Sequence, residues 1–366
     1  MLWVKPEPGA GRVVPLVAAI TALLIAGAAV VTARTATGPS TLAFIAGGRA
    51  VVGAAPAMAT AGTATAPVAA SPSGRPTSLD AALAAAGTPV PAGAHVYAAR
   101  VGRSGAGPVY DEYVAGGGAL ATDFWPASSI KVLAALGALE YVGTLGYTGA
   151  ATVTFADTGR TTTIRAIYDG AIRDSSNEDY DRLVEIAGVG WLNREFLTPA
   201  RGFPATVIQR SYTVGGNLRA SPAMSLVEGD RRSTLPARSS PAVNECPAGN
   251  CSDLFEMSES VRRVVLHDEI PAAQRFSIAR SDATALTASL LGAEGYFNAP
   301  VATVLGPGAR IYSKPGEVPG RDCMDVTLIE SRTGKRFLLS VTVPAERGHC
   351  DTLLRLATAV LRILNT

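Results

Sequence analysis

The order of strand-like and helix-like patterns along the 366 residues restricts the fold more than any other feature. Residues 95–101 and 109–114 alternate apolar and polar side chains as a β-hairpin does. Residues 326–330 and 337–343 are predicted to form a second hairpin, because they flank a turn signal at residues 332–335. Helical spacing of apolar residues is found at 130–139, 164–174, 180–186, 254–266, 283–291 and, as a final amphipathic helix, 352–364. Strands from both ends that bracket a helical middle predict an α+β fold, with one antiparallel sheet built from both termini, flanked by helices and carrying an inserted all-helical lobe.

The composition excludes several classes of protein. A hydrophobic content of 48% supports a buried core, and a net charge of +2 gives no reason to expect nucleic acid as a partner. The cysteines and histidines do not repeat a zinc-ligand spacing, so we expect no metal and no organic cofactor. We expect a monomer that acts on a small molecule or a peptide.

The amino-terminal residues have the pattern of an export segment. Lys5 and Arg12 precede an apolar run that ends near residue 33, which predicts a signal peptide or a membrane anchor over residues 1–33. The run is about 20 residues long, close to the length that spans a bilayer, so both alternatives stay open. We therefore expect an extracytoplasmic protein that contacts the membrane only through this segment.

A linker is predicted to follow. Residues 34–78 consist mainly of Ala, Thr, Gly, Pro and Ser and contain no acidic residue before the first helical pattern. Such a composition buries too little apolar surface to offset the entropy lost on ordering. The folded domain is therefore predicted to cover residues 79–366.

A serine and a lysine stand one helical turn apart at the start of the first long helical pattern. Ser128 and Lys131 share a helix face there, so the amine could accept the proton of the hydroxyl and activate it as a nucleophile. Only four residues of the chain are lysine, and this Ser-x-x-Lys pattern occurs once. The alternative is a helix-capping serine beside a solvated lysine.

Two further elements carry polar groups suited to the same chemistry. Ser175 and Asn177 lie in a turn between helical segments, where they could point a hydroxyl and a carboxamide into one cleft. Lys314 and Gly316 precede the terminal hairpin, where a lysine and a close backbone approach suit a substrate carboxylate. The alternatives are a pair of helix caps and a solvated loop lysine.

These three elements, in this order, resemble the signature of the penicillin-recognising serine hydrolases, which include class A β-lactamases and penicillin-binding DD-peptidases. The resemblance covers residues 79–366 and implies a β-lactamase/transpeptidase-like fold. It implies that Ser128 is the acylated nucleophile, that Lys131 is its base, and that Ser175 relays a proton to the leaving nitrogen.

The resemblance also implies the substrate-binding residues. Asn177 would contact the amide side chain of the substrate, and Lys314 would be an electrostatic anchor. Gly316 and Glu317 complete the set, since the backbone N–H groups of Ser128 and Glu317 would form the oxyanion hole.

Two departures from the family pattern bear on function. Pro315 stands where the family has Thr or Ser, and it lacks both the hydroxyl that binds a substrate carboxylate and a backbone N–H. The E-x-x-L-N pattern that supplies the deacylating glutamate of class A β-lactamases is missing from the sequence, and Glu228 is the candidate for this base. The first departure leaves room for an ester or amide substrate other than an ordinary penicillin, and the second favours acylation over release of the acyl group.

The expected function is that of an exported serine hydrolase of the class A β-lactamase type, acylated at Ser128 by β-lactams or related amides and hydrolysing the acyl-enzyme. A DD-peptidase acting on peptidoglycan stems and a non-catalytic penicillin-binding or sensing domain are the alternatives.

The cysteines fit export. Cys246 and Cys251 enclose a short segment that a disulfide could close, and Cys323 and Cys350 flank the terminal hairpin. Four cysteines allow three connectivities, and the sequence leaves them open.

Overall fold

The computed structural model describes residues 75–105, 107–117, 120, 125–243, 246, 248–345 and 350–366. The predicted export segment, residues 1–33, lies outside the described residues, as does the predicted linker up to residue 74. The first strand, Thr77–Ser78, begins just ahead of the predicted start of the domain. Within the described ranges, no helix is long and apolar enough to cross a membrane.

At both ends of the domain, the helices and strands follow the order that the sequence patterns predict. The helices are α1 (Asp80–Ala85), α2 (Lys131–Thr144), α3 (Ile164–Ile172), α4 (Asn177–Ala187), α5 (Val189–Trp191), α6 (Leu254–Val265), α7 (Arg280–Gly292), α8 (Asn298–Leu305) and α9 (Asp351–Leu364). The strands are β1 (Thr77–Ser78), β2 (His95–Ser104), β3 (Gly107–Ala115), β4 (Thr152–Phe155), β5 (Thr161–Thr163), β6 (Val207–Ile208), β7 (Ala220–Ser221), β8 (Met224–Glu228), β9 (Arg231–Leu235), β10 (Arg238–Ser239), β11 (Asn250–Cys251), β12 (Arg310–Val318), β13 (Asp322–Glu330) and β14 (Arg336–Pro344).

The main sheet is built from both ends of the domain. Its strand order is β1-β3-β2-β14-β13-β12, and its pairs are antiparallel except for the parallel pair of β1 and β3. The two terminal hairpins join where β2 pairs with β14, with Ala98 opposite Leu339. The predicted α+β class and the origin of the sheet are confirmed.

Both faces of the sheet are covered. On the outer face, Leu353, Leu356 and Val360 of α9 pack in one apolar cluster with Phe337 and Leu339 of β14. This is the packing that the amphipathic pattern of the last helix predicts.

The inserted lobe packs around α2, which lies in the second and larger apolar cluster. Val132, Leu133 and Leu136 are fully buried, and Glu140 is also buried. A helix enclosed on nearly all sides is held in place by its packing, so it gives the residues at its amino end a fixed position.

The prediction of an all-helical lobe was wrong. The lobe contains a four-stranded antiparallel sheet with the order β5-β4-β8-β9. Its strands are short, and β4 and β5 consist largely of threonine, a β-branched residue that favours strands but gives a weak apolar alternation.

Candidate active site

The predicted nucleophile lies in a turn of 3-10 helix, Ala127–Ile130, that leads into α2. Ser128 is half-buried and lines a cleft, and neither this turn nor α2 has a side-chain cap, so the helix-cap alternative does not describe it. Ala127 has a φ of 44°, a left-handed conformation that is strained for a residue with a Cβ. The Tyr212 hydroxyl donates a 2.7 Å hydrogen bond to the Ala127 carbonyl and so supports this conformation.

Lys131 is fully buried, which excludes the alternative of a solvated lysine. Its ammonium donates to the Ser175 carbonyl at 2.5 Å and to Asn177 Oδ1 at 2.8 Å. No hydrogen bond joins Lys131 to the Ser128 hydroxyl among the described side chains. The Lys131 amine therefore contacts the second predicted element directly by hydrogen bonds, whereas it is only a near neighbour of Ser128 in the first.

The turn between α3 and α4 presents Ser175, whose φ of 54° is also left-handed. Its hydroxyl is 2.9 Å from the Lys314 ammonium and 3.4 Å from the Lys131 ammonium. Helix capping is the role of the next residue, because Ser176 Oγ accepts the N–H of Asp179 at 3.1 Å. Ser175 is thus free of the capping role, and its hydroxyl lies between two lysine amines.

Strand β12 supplies the third element from the edge of the main sheet. Lys314 is buried, and a Cβ placed on Gly316 would lie 3.0 Å from the Pro126 carbonyl and 3.1 Å from the Ser129 nitrogen. Only glycine allows the strand to approach the nucleophile turn so closely. Pro315 is tolerated here because edge strands are where sheets accept proline.

Burial reduces the proton affinity of both lysines. Burial, followed by the charge of Lys314, lowers the pKa of Lys131 to about 7. Burial lowers the pKa of Lys314 to about 8, against the opposing effect of the Asp325 carboxylate. Lys131 can therefore be neutral near pH 7 while Lys314 is still mostly charged.

We call Lys131, Ser175, Lys314 and Gly316 the lysine wall, which lies beside the cleft-lining residues Ser128 and Asn177. The cleft has a volume of about 280 Å³, and Ser128, Asn177 and Glu317 are among its lining residues. Glu317 is exposed, and its carboxylate accepts a 2.9 Å hydrogen bond from the Tyr296 hydroxyl. Three of the seven predicted site residues thus line the cleft. Lys131, Ser175 and Lys314 are joined to this group through the hydrogen bonds of Lys131 to Asn177 and of both lysines to Ser175.

The opposite side of the cleft was missed by sequence reasoning. Its lining residues include Trp125, Arg210 and Tyr212, of which the last two belong to a segment that the sequence presents as a long region without periodicity. We call Arg210 and Tyr212, with the residues that hold them, the loop wall. The Tyr212 ring stacks on Tyr180 with centroids 4.5 Å apart, and the Lys131 ammonium lies 5.7 Å from its centroid.

The loop wall is anchored by two buried polar side chains. The Asp181 carboxylate of α4 accepts the Ser211 hydroxyl at 2.6 Å, the Tyr212 N–H at 2.8 Å and the Thr213 N–H at 3.1 Å. Asn250 Oδ1 accepts the N–H groups of Gln209 and Arg210 at 2.9 and 3.0 Å. The short spacing of Cys246 and Cys251 was the one sequence signal for a fixed loop at this place.

Both suggested cysteine pairings are present. Cys246 and Cys251 form a disulfide with Cα atoms 5.9 Å apart, and Cys323 and Cys350 form a second with Cα atoms 5.8 Å apart. The first closes a ring over residues 246–251, and Asn250 in this ring accepts the hydrogen bonds from the loop wall.

Glu228 does not occupy the place of a deacylating base. It ends β8 in the small sheet, where its carboxylate accepts the N–H of Thr148 at 2.8 Å and the hydroxyl of Thr148 at 2.6 Å. It is not among the residues described as lining the cleft. The Glu228 carboxylate instead links the β8–β9 hairpin to Thr148, just after the end of α2.

No protein-family model and no curated protein sequence matches the chain. Solved structures do match. A β-lactamase from Burkholderia vietnamiensis is 14% identical with a TM-score of 0.55, and the match covers 78% of this chain and 96% of that one. A β-lactamase from Desulfarculus baarsii is 16% identical with a TM-score of 0.51, covering 78% and 96%.

A third match is a point mutant of PBP-A, solved as an acyl-enzyme complex with penicillin G. It is 15% identical with a TM-score of 0.51, and the match covers 74% of this chain and 90% of that one. Identities this low show the fold alone. The chain has the β-lactamase/transpeptidase-like fold that its three sequence elements predicted.

Proposed function

We propose that the protein is an extracytoplasmic serine hydrolase of the penicillin-recognising superfamily, acylated at Ser128 by β-lactams or by D-alanyl peptides. One observation carries this proposal: the buried Lys131 ammonium, with a pKa lowered to about 7, lies one turn from a cleft-lining serine and contacts both polar residues of the second predicted element. A surface lysine would retain its proton and could not act as a base at neutral pH.

The proposed acylation uses the groups in sequence. Neutral Lys131 accepts the Ser128 proton as Oγ attacks the substrate carbonyl carbon, and the carbonyl oxygen becomes an oxyanion held by the N–H groups of Ser128 and Glu317. Collapse of this intermediate breaks the carbon–nitrogen bond. The Ser175 hydroxyl passes a proton to the leaving nitrogen and is reprotonated through the lysine pair, which its contacts of 2.9 and 3.4 Å support.

Release of the acyl group is proposed to be slow. Among the described residues that line the cleft, Glu317 alone carries a carboxylate, and Tyr296 already donates a hydrogen bond to it. On the loop wall, the ring of Tyr212 lies with its centroid 5.7 Å from the Lys131 ammonium. This environment supports a penicillin-binding or DD-peptidase type of enzyme over a fast β-lactamase.

Turnover of β-lactams is the second candidate function. It is favoured by the lowered pKa of Lys131, because an amine that is neutral at pH 7 could take a proton from water once Ser128 is acylated. The two candidates share the first chemical step and differ in the lifetime of the acyl-enzyme.

The proposed extracytoplasmic location rests on the two disulfides, which persist in oxidising compartments, and on the β-lactamase-like fold. The predicted export segment would deliver the protein there.

Labelling with a fluorescent penicillin tests the proposal. We expect one covalent label, recovered after proteolysis in the peptide that contains Ser128 and competed by unlabelled penicillin. A label on another residue, or no label with either penicillins or acyl-D-Ala-D-Ala thioesters, would contradict the proposed function.

A further inference from the structure

Arg210 places a cation inside the cleft. It is the sole arginine or lysine among the described cleft-lining residues, which also include Ser128 and Asn177. Its guanidinium carbon lies 4.9 Å from the ring centroid of Trp125. Stacking on an indole leaves the edge of a guanidinium, with its N–H donors, available to a ligand.

The arginine is held before any ligand binds. Its backbone N–H donates to Asn250 Oδ1 at 3.0 Å, and its Nη1 donates to the Ala248 carbonyl at 3.4 Å. A Cβ on Gly249 would lie 2.9 Å from Arg210 Cβ, so the arginine packs directly over that glycine. All three contacts lie in the ring closed by the Cys246–Cys251 disulfide, which makes Arg210 a preorganised donor.

The charge of Arg210 is not neutralised within the described residues, where no carboxylate lies within ion-pair distance of it. Arg321 provides a contrast on the same indole, since its guanidinium carbon is 5.9 Å from the Trp125 centroid while its Nε pairs with Asp322 at 3.0 Å. A preorganised guanidinium without an acidic partner, at the side of a reactive serine, is suited to bind an anion.

The position in the cleft indicates which part of a substrate would carry that anion. Asn177, the predicted contact of the substrate amide side chain, lines the cleft together with Arg210. Lys314, the predicted anchor at the other end of the substrate, is buried and donates to the Ser175 hydroxyl at 2.9 Å. Arg210 thus shares the cleft with the predicted contact of the acyl side chain, whereas the predicted anchor of the other end does not line it.

We propose that Arg210 determines specificity by binding a carboxylate in the acyl side chain of the substrate, so that the preferred acyl donors are anionic on that side. This inference rests on the proposed function. The inference also fits the loss of a hydroxyl at Pro315. Arg210 would supply a second contact to an anion in a site whose usual contact to a substrate carboxylate is reduced.

The test compares two penicillins of matched size: α-carboxybenzylpenicillin and its neutral α-carboxamide. The second-order rate constant of Ser128 acylation is measured for both, and their ratio is taken for the wild-type protein, Arg210→Gln, Arg210→Lys and Arg321→Gln. A ratio cancels any common effect of a substitution on folding or on the serine.

We expect the wild-type protein to prefer the carboxylate by about tenfold or more, the range of one charge-assisted hydrogen bond. The ratio should fall towards one in Arg210→Gln, be intermediate in Arg210→Lys, which keeps the charge but loses the planar fork, and stay at the wild-type value in Arg321→Gln. A wild-type ratio near one, or an unchanged ratio in Arg210→Gln, would overturn the inference while leaving Ser128 acylation in place. Failure of both penicillins to label Ser128 would instead contradict the proposed function and this inference with it.

Discussion

The two walls of the cleft differ in how the chain builds them. The lysine wall is made of residues from three short elements, at the start of α2, in the turn before α4 and on β12, and each element is recognisable in the sequence. Its hydrogen bonds join residues that are 44 and 139 positions apart. The loop wall is made of Arg210 and Tyr212, which lie in a segment without periodicity and are held by Asp181 and Asn250, 31 and 40 positions away. The first wall is suited to break a bond, and the second is suited to decide which substrate enters and how fast its acyl group leaves.

Removal of the nucleophile should have the largest effect. Ser128→Ala should abolish covalent labelling by penicillin, because Ser128 is the proposed nucleophile and lies in the cleft one helical turn before the buried Lys131. Thermal stability, followed by circular dichroism, should change little, since the serine does not cap a helix. A large loss of stability would show that Ser128 has a structural role instead.

Loss of the base should rank next. Lys131→Gln should slow acylation by about 100-fold to 10,000-fold, the usual range for a general base. Lys335→Gln is the matched control, because that exposed lysine donates only to Asn365 and should be silent. Full acylation by Lys131→Gln would refute the assignment of the base.

The pH dependence of acylation should report both lysines. Below the pKa of about 7, Lys131 is protonated and cannot accept the serine proton, so the rate should fall about tenfold per pH unit. Above the pKa of about 8, Lys314 loses the charge that anchors the substrate, and the rate should decline again. A profile that is flat from pH 5 to about 9 would contradict the role of the lysine wall.

The loop wall should be sensitive to its anchor. Asp181→Asn keeps the size of the side chain but weakens three hydrogen bonds, so it should lower the free energy of unfolding by about 1–3 kcal/mol and also reduce acylation. Glu178→Gln, on the exposed face of the same helix, should change it by less than about 0.5 kcal/mol. Equal effects of the two substitutions, measured by urea unfolding, would show that Asp181 does not organise this wall.

The smallest effect is expected from the one hydrogen bond that links the loop wall to the nucleophile turn. Tyr212→Phe removes the bond to the Ala127 carbonyl while keeping the ring stack on Tyr180, so acylation should slow by about tenfold or less. If the acylation rate is unchanged while stability falls, the bond supports the fold alone.

The same contrast explains what the sequence could predict. The amphipathic pattern of α9 and the alternation in β13 and β14 are local, and they predicted the sheet and its outer helix. The elements around Ser128, Ser175 and Lys314 are short and follow one another in the order of the family signature. The resemblance that they carry therefore predicted that they would meet at one site.

Arg210 and Tyr212 have no such local signal. Their positions depend on a buried aspartate from α4 and on a disulfide ring, and neither dependence leaves a periodic pattern near the two residues. The threonine-rich strands β4 and β5 were missed because their own apolar alternation is weak. They pair with each other, and the pairing of β4 with β8, far along the chain, adds them to the small sheet.

The lifetime of the acyl-enzyme tests the central claim most directly. The intact mass of the purified protein would be followed over hours after mixing with a slight excess of benzylpenicillin, with Ser128→Ala treated in parallel. We predict an adduct of one whole penicillin that forms on the wild-type protein, persists after the free drug is removed, and does not form on the variant. Absence of the adduct, or its rapid loss with hydrolysed penicillin accumulating, would contradict acylation at Ser128 with slow release.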